Sequence, residues 1–433
     1  MFKTIIDAFK IKEVRRKIFI TLILLFLFRV GCWLPIPGID KEVFASSVSA
    51  DQNGFLGLLS TLSGGALSNA SILALGVSPY INASIIIQLL QVAIPRLDDL
   101  AQSGEDGRKK INLYTRIAAL ILAVAQAIGI TVALSKNTLF DTRLWSGSMA
   151  GFAPVFTVIV LVAGAMFTVW LGERITETGI GNGLSLLIFV GILSSAGTAI
   201  LSTLTNIFGG NTKYLWNLLV FFVAVIAVFA LIIFIDGAER KIPVQYAKQV
   251  NGRKGYNGQS NFIPVRVNGS GVIPIIFASA ILSFPYMLIS LFWPNAAEGY
   301  NKVLGSGTWL YIVLTALLIL FFTYFYAQIT FKPEDISKNI QQSGGFIEGV
   351  RPGKDTVNFL TRVSRRVTLF GAVFLAFIAL VPSVVFALIG GELTTLTGAF
   401  SATGMMIVVS VALEFQKQLE SQMITRNYKG FLN

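Results

Sequence analysis

The sequence predicts an all-α membrane protein with ten transmembrane helices in two inverted halves. Of its 433 residues, 54% are hydrophobic and 13% are charged, whereas a soluble domain has about 25% charged residues. The apolar stretches are continuous and roughly 20 residues long, which is the length that an α-helix needs to cross the hydrocarbon core. They lack the two-residue alternation of a membrane β-barrel. A repeated segment in the second half of the chain indicates the symmetry.

Ten apolar spans account for the predicted helices. Their approximate limits are 18–34, 72–94, 114–135, 153–171, 184–203, 214–235, 272–292, 309–331, 367–388 and 398–415. An even number of spans places both termini on the same side of the membrane. If that side is the cytoplasm, 28 of the 34 Lys and Arg residues are cytoplasmic and five lie on the opposite side. Because positive residues concentrate in cytoplasmic loops, we expect both termini in the cytoplasm.

Part of span two recurs in span seven. Residues 76–86 and 271–281 align without gaps, and both begin with Gly-Val-x-Pro. The two spans are five crossings apart, so they run in opposite directions and the repeat is inverted about an axis in the membrane plane. We therefore expect an N-terminal half over 1–205 and a C-terminal half over 206–433. Helices interrupted by Gly and Pro at equivalent positions of two halves indicate a transport pathway at their interface.

Two predicted cytoplasmic loops, 237–270 and 332–366, are long and basic. Gly and Pro occur throughout both, which favours protruding, hairpin-like loops over helices. Some of their positive charge serves to orient the protein in the membrane. Their length and charge also suit the docking of an acidic or nucleic-acid-rich partner.

The apolar segment 55–67 is too short to span a membrane. Its 13 residues at 1.5 Å per residue fall well short of about 30 Å of hydrocarbon. Gly64 and Gly65 separate it from the next helix. Irregular backbone at membrane depth persists where it is buried in protein or lines an aqueous cavity. A short helix on a glycine hinge suits filling a cavity and leaving it again, and the alternative is an interfacial helix that lies flat.

Five motifs occur in order along the chain. They are S-G-G-A-L at 63–67, G-V-S-P-Y-I-N-A-S-I-I-I-Q-L-L at 76–90, G-I-G-N-G at 179–183, A-E-R-K-I-P-V-Q-Y-A-K at 238–248 and R-P-G at 351–353. Together they resemble the SecY family, the channel subunits of the bacterial Sec protein translocase, over essentially the whole chain. The resemblance implies an hourglass pore between the two halves. It also implies a ring of aliphatic side chains at the waist and a plug that fills the outer funnel at rest.

Carried over by motif, the pore ring consists of aliphatic residues from four spans. Its members are Ile81, Ile85, Ile188, Ile192, Ile276 and Ile407. Ile81 and Ile85 share one helix face, as do Ile188 and Ile192, because each pair is four residues apart. Leu184 or Leu187 could replace one member from span five. The implied plug residues are Phe55, Leu56, Gly57, Leu58, Leu59, Ser60, Thr61, Leu62, Ser63, Gly64 and Gly65.

The resemblance also implies a lateral gate, which opens the pore to lipid between spans two and three on one side and seven and eight on the other. The candidate polar residues along it are Gln88, Gln91, Ser279 and Ser283. Packing between helices explains each of these residues equally well.

The partners follow from the same resemblance. The SecA motor ATPase or a translating ribosome, the latter through its rRNA, would bind the basic loops and supply the driving force. The implied docking residues are Arg240, Lys241, Lys248, Arg253, Lys254, Arg351 and Lys354. SecE and SecG would be small membrane subunits, polypeptides with signal peptides the substrates, and the bacterial inner (cell) membrane the location.

The implied function is a protein-conducting channel of the general secretory pathway, which passes unfolded polypeptides across the membrane and releases hydrophobic segments sideways into lipid. An inverted-repeat secondary transporter of a small solute is the alternative. Such a transporter should carry ionisable groups at the membrane midplane. The spans instead offer Arg29 near the outer end of the first and Glu414 at the inner end of the tenth.

The residue types argue against an enzyme that uses a cofactor or a nucleophile. The chain has no histidine and a single cysteine, Cys32, so no pair of nucleophile and base suggests itself. The Gly179-x-Gly181-x-Gly183 motif is not a phosphate-binding loop, because no Lys-Ser/Thr follows it and it precedes a membrane helix. We therefore expect no cofactor and no catalytic residues.

Overall fold

The computed structural model describes residues 7–50, 60, 63–135, 151–209, 213–246, 261–269, 271, 273–305, 308–389 and 402–429. Helices dominate these ranges, and each of the ten predicted spans overlaps one helix. The helices up to residue 209 are α1 (Lys12–Gly31), α2 (Lys41–Ala50), α3 (Ser78–Ala93), α4 (Pro95–Gln102), α5 (Glu105–Ser135), α6 (Ala153–Thr178) and α7 (Gly183–Phe208). The later helices are α8 (Lys213–Asp236), α9 (Ile273–Phe292), α10 (Pro294–Leu304), α11 (Trp309–Thr330), α12 (Pro333–Gln342), α13 (Lys354–Ile389) and α14 (Ala402–Lys429).

Length and composition identify the membrane-spanning helices. Within the described ranges, six helices are long and apolar enough to cross a membrane, namely α5, α6, α7, α8, α11 and α13. Helices α3 and α4 together make up a seventh, bent candidate. Helices α1, α9 and α14 lie at the remaining predicted spans. The protein is therefore a multi-pass membrane protein.

The two copies of the repeat begin their helices in the same way. Gly76 and Gly271 have φ of +54° and +62°, and each lies two residues before the first residue of its helix. Glycine adopts this left-handed conformation without a steric cost. Pro79 and Pro274 then occupy the first turn, where their missing N–H groups are not needed. The repeat read from the sequence is thus present in the backbone of α3 and α9.

Helix α3 is shorter than the predicted span and is followed by a sharp bend. It begins at Ser78 rather than near residue 72, because a series of turns precedes it. Ile94 is extended, with φ of −116° and ψ of 106°, as expected for a residue before proline. Helix α4 starts at Pro95, and its axis makes an angle of 105° with that of α3.

The first long loop forms a β-hairpin, as predicted. Strand β1 (Glu239–Tyr246) pairs antiparallel with β2 (Asn261–Arg266), and Ile242 lies opposite Ile263. Strand β3 (Gly345–Ile347), from the second long loop, pairs with the other edge of β1. The two loops therefore share one three-stranded sheet.

The prediction of a hairpin-like second loop is wrong, because α12 and the first turns of α13 occupy most of it. Pro333 occupies the first turn of α12, where proline is favoured. Glu334 and Asp335 lie in the same turn and stabilise the positive end of the helix dipole. Helix α13 begins at Lys354, well before the apolar stretch, because Lys and Arg are good helix formers.

Candidate functional site

The residues of the predicted pore ring lie in continuous apolar packing that joins helices from both predicted halves. Ile188 and Ile192 from α7 and Ile407 from α14 are buried in one cluster, and Ile81 from α3 and Ile276 from α9 pack against it. Four helices therefore bring five of the six predicted residues together.

The sixth residue, Ile85, lies in the adjoining cluster with Phe277 and Phe322. Ile81 and Ile276 pack against this cluster as well, so they connect the two. The faces of α3 and α9 that carry Ile81, Ile85 and Ile276 thus meet, as expected if these helices come from two halves that face each other.

The alternative members from span five lie in the same place. Leu187 is fully buried in the cluster that contains Ile188 and Ile192, and Leu184 packs against it. The start of α7 fixes this register, because the Asn182 side chain accepts hydrogen bonds from the backbone N–H groups of Leu184 and Ser185. An asparagine at this position satisfies N–H groups that have no partner within the helix.

The predicted plug is only partly visible. Phe55, Leu56, Gly57, Leu58, Leu59, Thr61 and Leu62 lie outside the described residues. Ser60 is helical, and its carbonyl accepts a hydrogen bond of 2.8 Å from the N–H of Gly65. The hydroxyl groups of Ser60 and Ser68 are 2.7 Å apart. Gly65 and Ser68 are therefore both within hydrogen-bond distance of Ser60.

We call residues 63–67 the plug turn, because they include the end of the predicted plug. The residues that follow the plug turn are hydrogen-bonded to the segment that follows α1. The N–H of Ile36 donates to the carbonyl of Ala70 at 2.8 Å, and the N–H of Ile72 donates to the carbonyl of Leu34 at 3.0 Å. These two bonds fix the C-terminal side of the plug turn.

The plug turn lies directly on helix α7, beside the predicted ring. Gly64 has a φ of +68°, and a Cβ atom there would lie 2.5 Å from Cα of Gly191. Gly191 stands between Ile188 and Ile192 in the sequence of α7. Only a residue without a side chain fits so close an approach between two backbones.

An arginine joins these parts. Arg29 of α1 donates from Nη1 to the carbonyl oxygen of Gly64 at 3.1 Å and from Nη2 to the Ser194 hydroxyl oxygen at 2.5 Å. From the sequence, Arg29 was notable only as an ionisable residue within a span. An arginine in an apolar helix is itself a signal of function, but its partners are 35 and 165 residues away.

The candidate gate residues lie on helices that contact one another. Helix α3 contacts α5 and α9, and α9 contacts α11. The Gln88 side-chain amide donates to Ser84 at 3.2 Å, while its carbonyl oxygen is buried without a hydrogen-bond partner. Ser279 donates to the carbonyl of Ile275 in its own helix, and Gln91 is partly buried. The side chain of Ser283 lies outside the described residues.

The two long loops form one folded unit, which comprises the sheet, α12 and the first turns of α13. We call it the cytoplasmic unit, after the side of the membrane on which the sequence predicts both loops. Its apolar core contains Ile242, Val244, Val265, Ile340, Ile347 and Leu360. A shared core means that both loops present their charges as one surface rather than as two separate loops.

The described docking candidates are on the outside of this unit. Arg240, Lys241, Arg351 and Lys354 are all exposed. Lys241 lies 3.5 Å from the Glu239 carboxylate and 4.7 Å from the centroid of the Phe262 ring. The other candidates, Lys248, Arg253 and Lys254, lie outside the described residues.

Comparison with known proteins identifies the family. The SecY family profile matches residues 71–416. The chain is 40% identical to the protein translocase subunit SecY of Halalkalibacterium halodurans, over 100% of both chains. It is also 40% identical to that of Escherichia coli K12, over 97% of this chain and 94% of the other.

Solved structures have a similar fold. One is the structure of a protein conducting channel, with a TM-score of 0.64 and 18% identity over 95% of this chain and 93% of the other. Another is Sec61 in the canine ribosome-channel complex from the endoplasmic reticulum, with a TM-score of 0.59 and 17% identity over the same shares. The match in sequence and fold extends over nearly the whole chain, which removes the small-solute transporter as an explanation. The chain belongs to the SecY family, and it is a channel subunit of a protein translocase rather than an enzyme.

Proposed function

We propose that this chain forms the pore through which unfolded polypeptides cross the bacterial cell membrane, and that hydrophobic segments leave it sideways into lipid. One observation carries the proposal. Aliphatic residues from α3, α7, α9 and α14 pack together between the halves, and the plug turn lies against α7 beside them.

The aliphatic side chains account for a seal that still passes protein. A constriction of branched apolar side chains excludes water and ions by dewetting. It offers no charge or hydrogen-bond donor to a passing chain, so a polypeptide of any sequence can slide through. The plug would block the same path when no substrate is present.

Sideways release follows from where the halves meet. Separation of α3 and α5 from α9 and α11 would expose the pore to lipid. A Leu or Ile gains roughly 0.3–0.6 kcal/mol at the membrane centre, whereas a charged residue there costs about 2.5–3.5 kcal/mol. About 20 apolar residues therefore favour lipid strongly, and a polar segment continues across.

The cytoplasmic unit is the proposed docking surface for the SecA motor ATPase and for the ribosome. Arg351 is the leading contact, with Arg240, Lys241 and Lys354 beside it on the same folded unit. The ribosome-bound fold relative is a channel complex of the endoplasmic reticulum. SecE and SecG are proposed as small membrane partners, and the distribution of Lys and Arg supports cytoplasmic termini.

The seal is the first property to test. The full chain would be reconstituted in a lipid bilayer with its small partner subunits, and ion conductance recorded for the intact protein and for a deletion of residues 57–65. We expect low conductance from the intact protein and large, flickering openings from the deletion. A deletion of equal length between α5 and α6, residues 139–147, serves as the matched control and should leave the membrane tight. An unchanged conductance after deletion of 57–65 would reject the plug.

A further inference from the structure

Arg29 lies at the end of an almost wholly apolar run. Residues 18–28 of α1 contain only Thr21 as a polar side chain. A charged residue at such a depth is costly and normally faces the protein interior with a partner. Arg29 is partly buried, and no carboxylate within the described residues forms an ion pair with it. Its guanidinium group is stabilised instead by hydrogen bonds to neutral oxygen atoms.

The partners of Arg29 belong to two other segments of the chain. One nitrogen of the guanidinium donates to the carbonyl of Gly64 in the plug turn, and another donates to the hydroxyl of Ser194 on α7. A cation near the C-terminus of a helix is favourable in itself, yet these bonds leave α1 altogether. The planar guanidinium can bridge two acceptors at once, so it connects α1, α7 and the plug turn.

Further contacts place the end of α1 against the same turn. The Sγ atom of Cys32 is 4.0 Å from the carbonyl oxygen of Ser63. A Cβ atom on Gly64 would lie 2.8 Å from Nη1 of Arg29. The turn is therefore enclosed between the end of α1 and the backbone of α7. Movement of the plug out of the pore must pull Gly64 away from both.

We propose that Arg29 is a positioning residue that latches the plug in its resting place. The latch rests on the plug proposed above. It holds the Gly64 carbonyl against the segment of α7 that carries Ile188 and Ile192. Displacement of α7 by a passing polypeptide would shift Ser194 and Gly191 together, which breaks the latch and the backbone contact in one movement.

Conductance of the reconstituted full complex tests the latch. Arg29→Gln keeps a polar side chain of moderate length but loses the charge and the two-pronged geometry. Because hydrogen bonds to a charged group are stronger than those between neutral groups, we expect the ratio of open to closed channels to rise by roughly tenfold to a hundredfold. Arg29→Lys should raise this ratio less, since the lysine ammonium can still donate a hydrogen bond to the Gly64 carbonyl. Ser194→Ala, which removes one partner, should give a smaller rise than Arg29→Gln.

The same substitution in the protein that lacks residues 57–65 distinguishes a latch from a general structural role of Arg29. In the protein that lacks residues 57–65, Gly64 is absent, so Arg29→Gln should add nothing to the conductance. An equal additional rise in that background would overturn the proposal, because the arginine would then act elsewhere. Deletion of 57–65 that leaves the membrane tight rejects the plug itself, whereas a leak from the deletion with none from Arg29→Gln rejects only the latch.

Hydrogen exchange of the purified complex gives an independent readout. We expect Arg29→Gln and Ser194→Ala to speed exchange in residues 63–70 while α1 and α7 remain as protected as in the parent protein. If Arg29→Gln cannot be purified in folded form, Ser194→Ala alone decides. Unchanged exchange in 63–70 together with unchanged conductance in Ser194→Ala would then overturn the proposal.

Discussion

The two copies of the repeated helix start have the same backbone but different neighbours. Ahead of α3, Gly76 follows the plug turn and lies against it, since a Cβ there would be 3.4 Å from that of Ser63. Ahead of α9, Gly271 follows β2 of the cytoplasmic unit, and a Cβ there would meet none of the described atoms within 4 Å. The comparison indicates that the repeat determines how α3 and α9 start, while the segments that precede them pack differently.

The largest expected effect comes from the ring, where the two copies should behave alike. Ile81→Asn and Ile276→Asn each place an amide in the apolar packing between the halves. Because burying an amide without a partner costs about 1–3 kcal/mol, we expect each to raise resting ion conductance by about tenfold to a hundredfold. Bilayer recordings of the reconstituted complex measure this resting conductance.

Leucine at the same positions is the matched control, since it keeps the volume and the apolar character. Ile81→Leu and Ile276→Leu should leave the membrane tight. A leak from Ile81→Asn with none from Ile276→Asn would contradict the equivalence of the two helices in the seal.

The helices of both halves could be predicted from the sequence because their signals are local. Apolar length locates the spans, and the Gly-Val-x-Pro segments locate the starts of α3 and α9. The hairpin of the first loop could also be predicted, since Gly and Pro favour turns over helices at their own positions in the chain. Each of these features depends on residues within one helix or one turn.

The rest depends on contacts between distant residues. Strand β3 pairs with β1 across about a hundred residues, for example Val244 with Ile347, and three residues of β3 carry no strand signal of their own. The bonds from Arg29 to Gly64 and Ser194 likewise follow from packing. The ring required the family motif, because isoleucine in an apolar helix is identical in composition whether it faces the pore, a neighbour or lipid.

The next largest effect should fall on the cytoplasmic side and leave the seal intact. Arg351→Glu reverses an exposed charge on the proposed docking surface. We expect SecA-driven transport of a precursor protein into vesicles to fall by about tenfold or more, because like charges across an interface cost several kcal/mol. Resting ion conductance should not change.

Lys302→Glu is the control for the change in net charge, because this residue lies on α10, in a segment that the sequence predicts on the opposite side of the membrane. The Lys302→Glu variant should transport the precursor protein at the rate of the parent protein. Equal losses from Arg351→Glu and Lys302→Glu would mean that the docking surface has been assigned to the wrong region.

A smaller difference is expected at the glycines that start the two helices. Alanine in a left-handed conformation costs roughly 1–2 kcal/mol, so Gly76→Ala and Gly271→Ala should both lower the thermal unfolding temperature in detergent. Gly76→Ala should lower it slightly less, since its Cβ would make ordinary van der Waals contact with Ser63, whereas a Cβ on Gly271 would meet no described atom within 4 Å. A larger loss from Gly76→Ala would show that the surroundings of the two starts have been ranked wrongly.

The smallest effect concerns Lys241, and it decides how a docking defect there should be interpreted. Its ion pair with Glu239 is largely exposed, and its ammonium lies over the Phe262 ring. Each interaction at such a site contributes about 1 kcal/mol or less. We therefore expect Lys241→Ala to change the unfolding temperature of the purified complex very little.

Binding of SecA to Lys241→Ala, measured at two salt concentrations, completes this test. If the lysine is a docking contact, the variant binds more weakly at low salt, and the difference shrinks at high salt because mobile ions screen exposed charges. Phe262→Leu removes the ring beneath the lysine but keeps the charge, so it should bind normally. Weaker binding in both variants, with a lower unfolding temperature, would mean that Lys241 supports the sheet rather than contacts the motor.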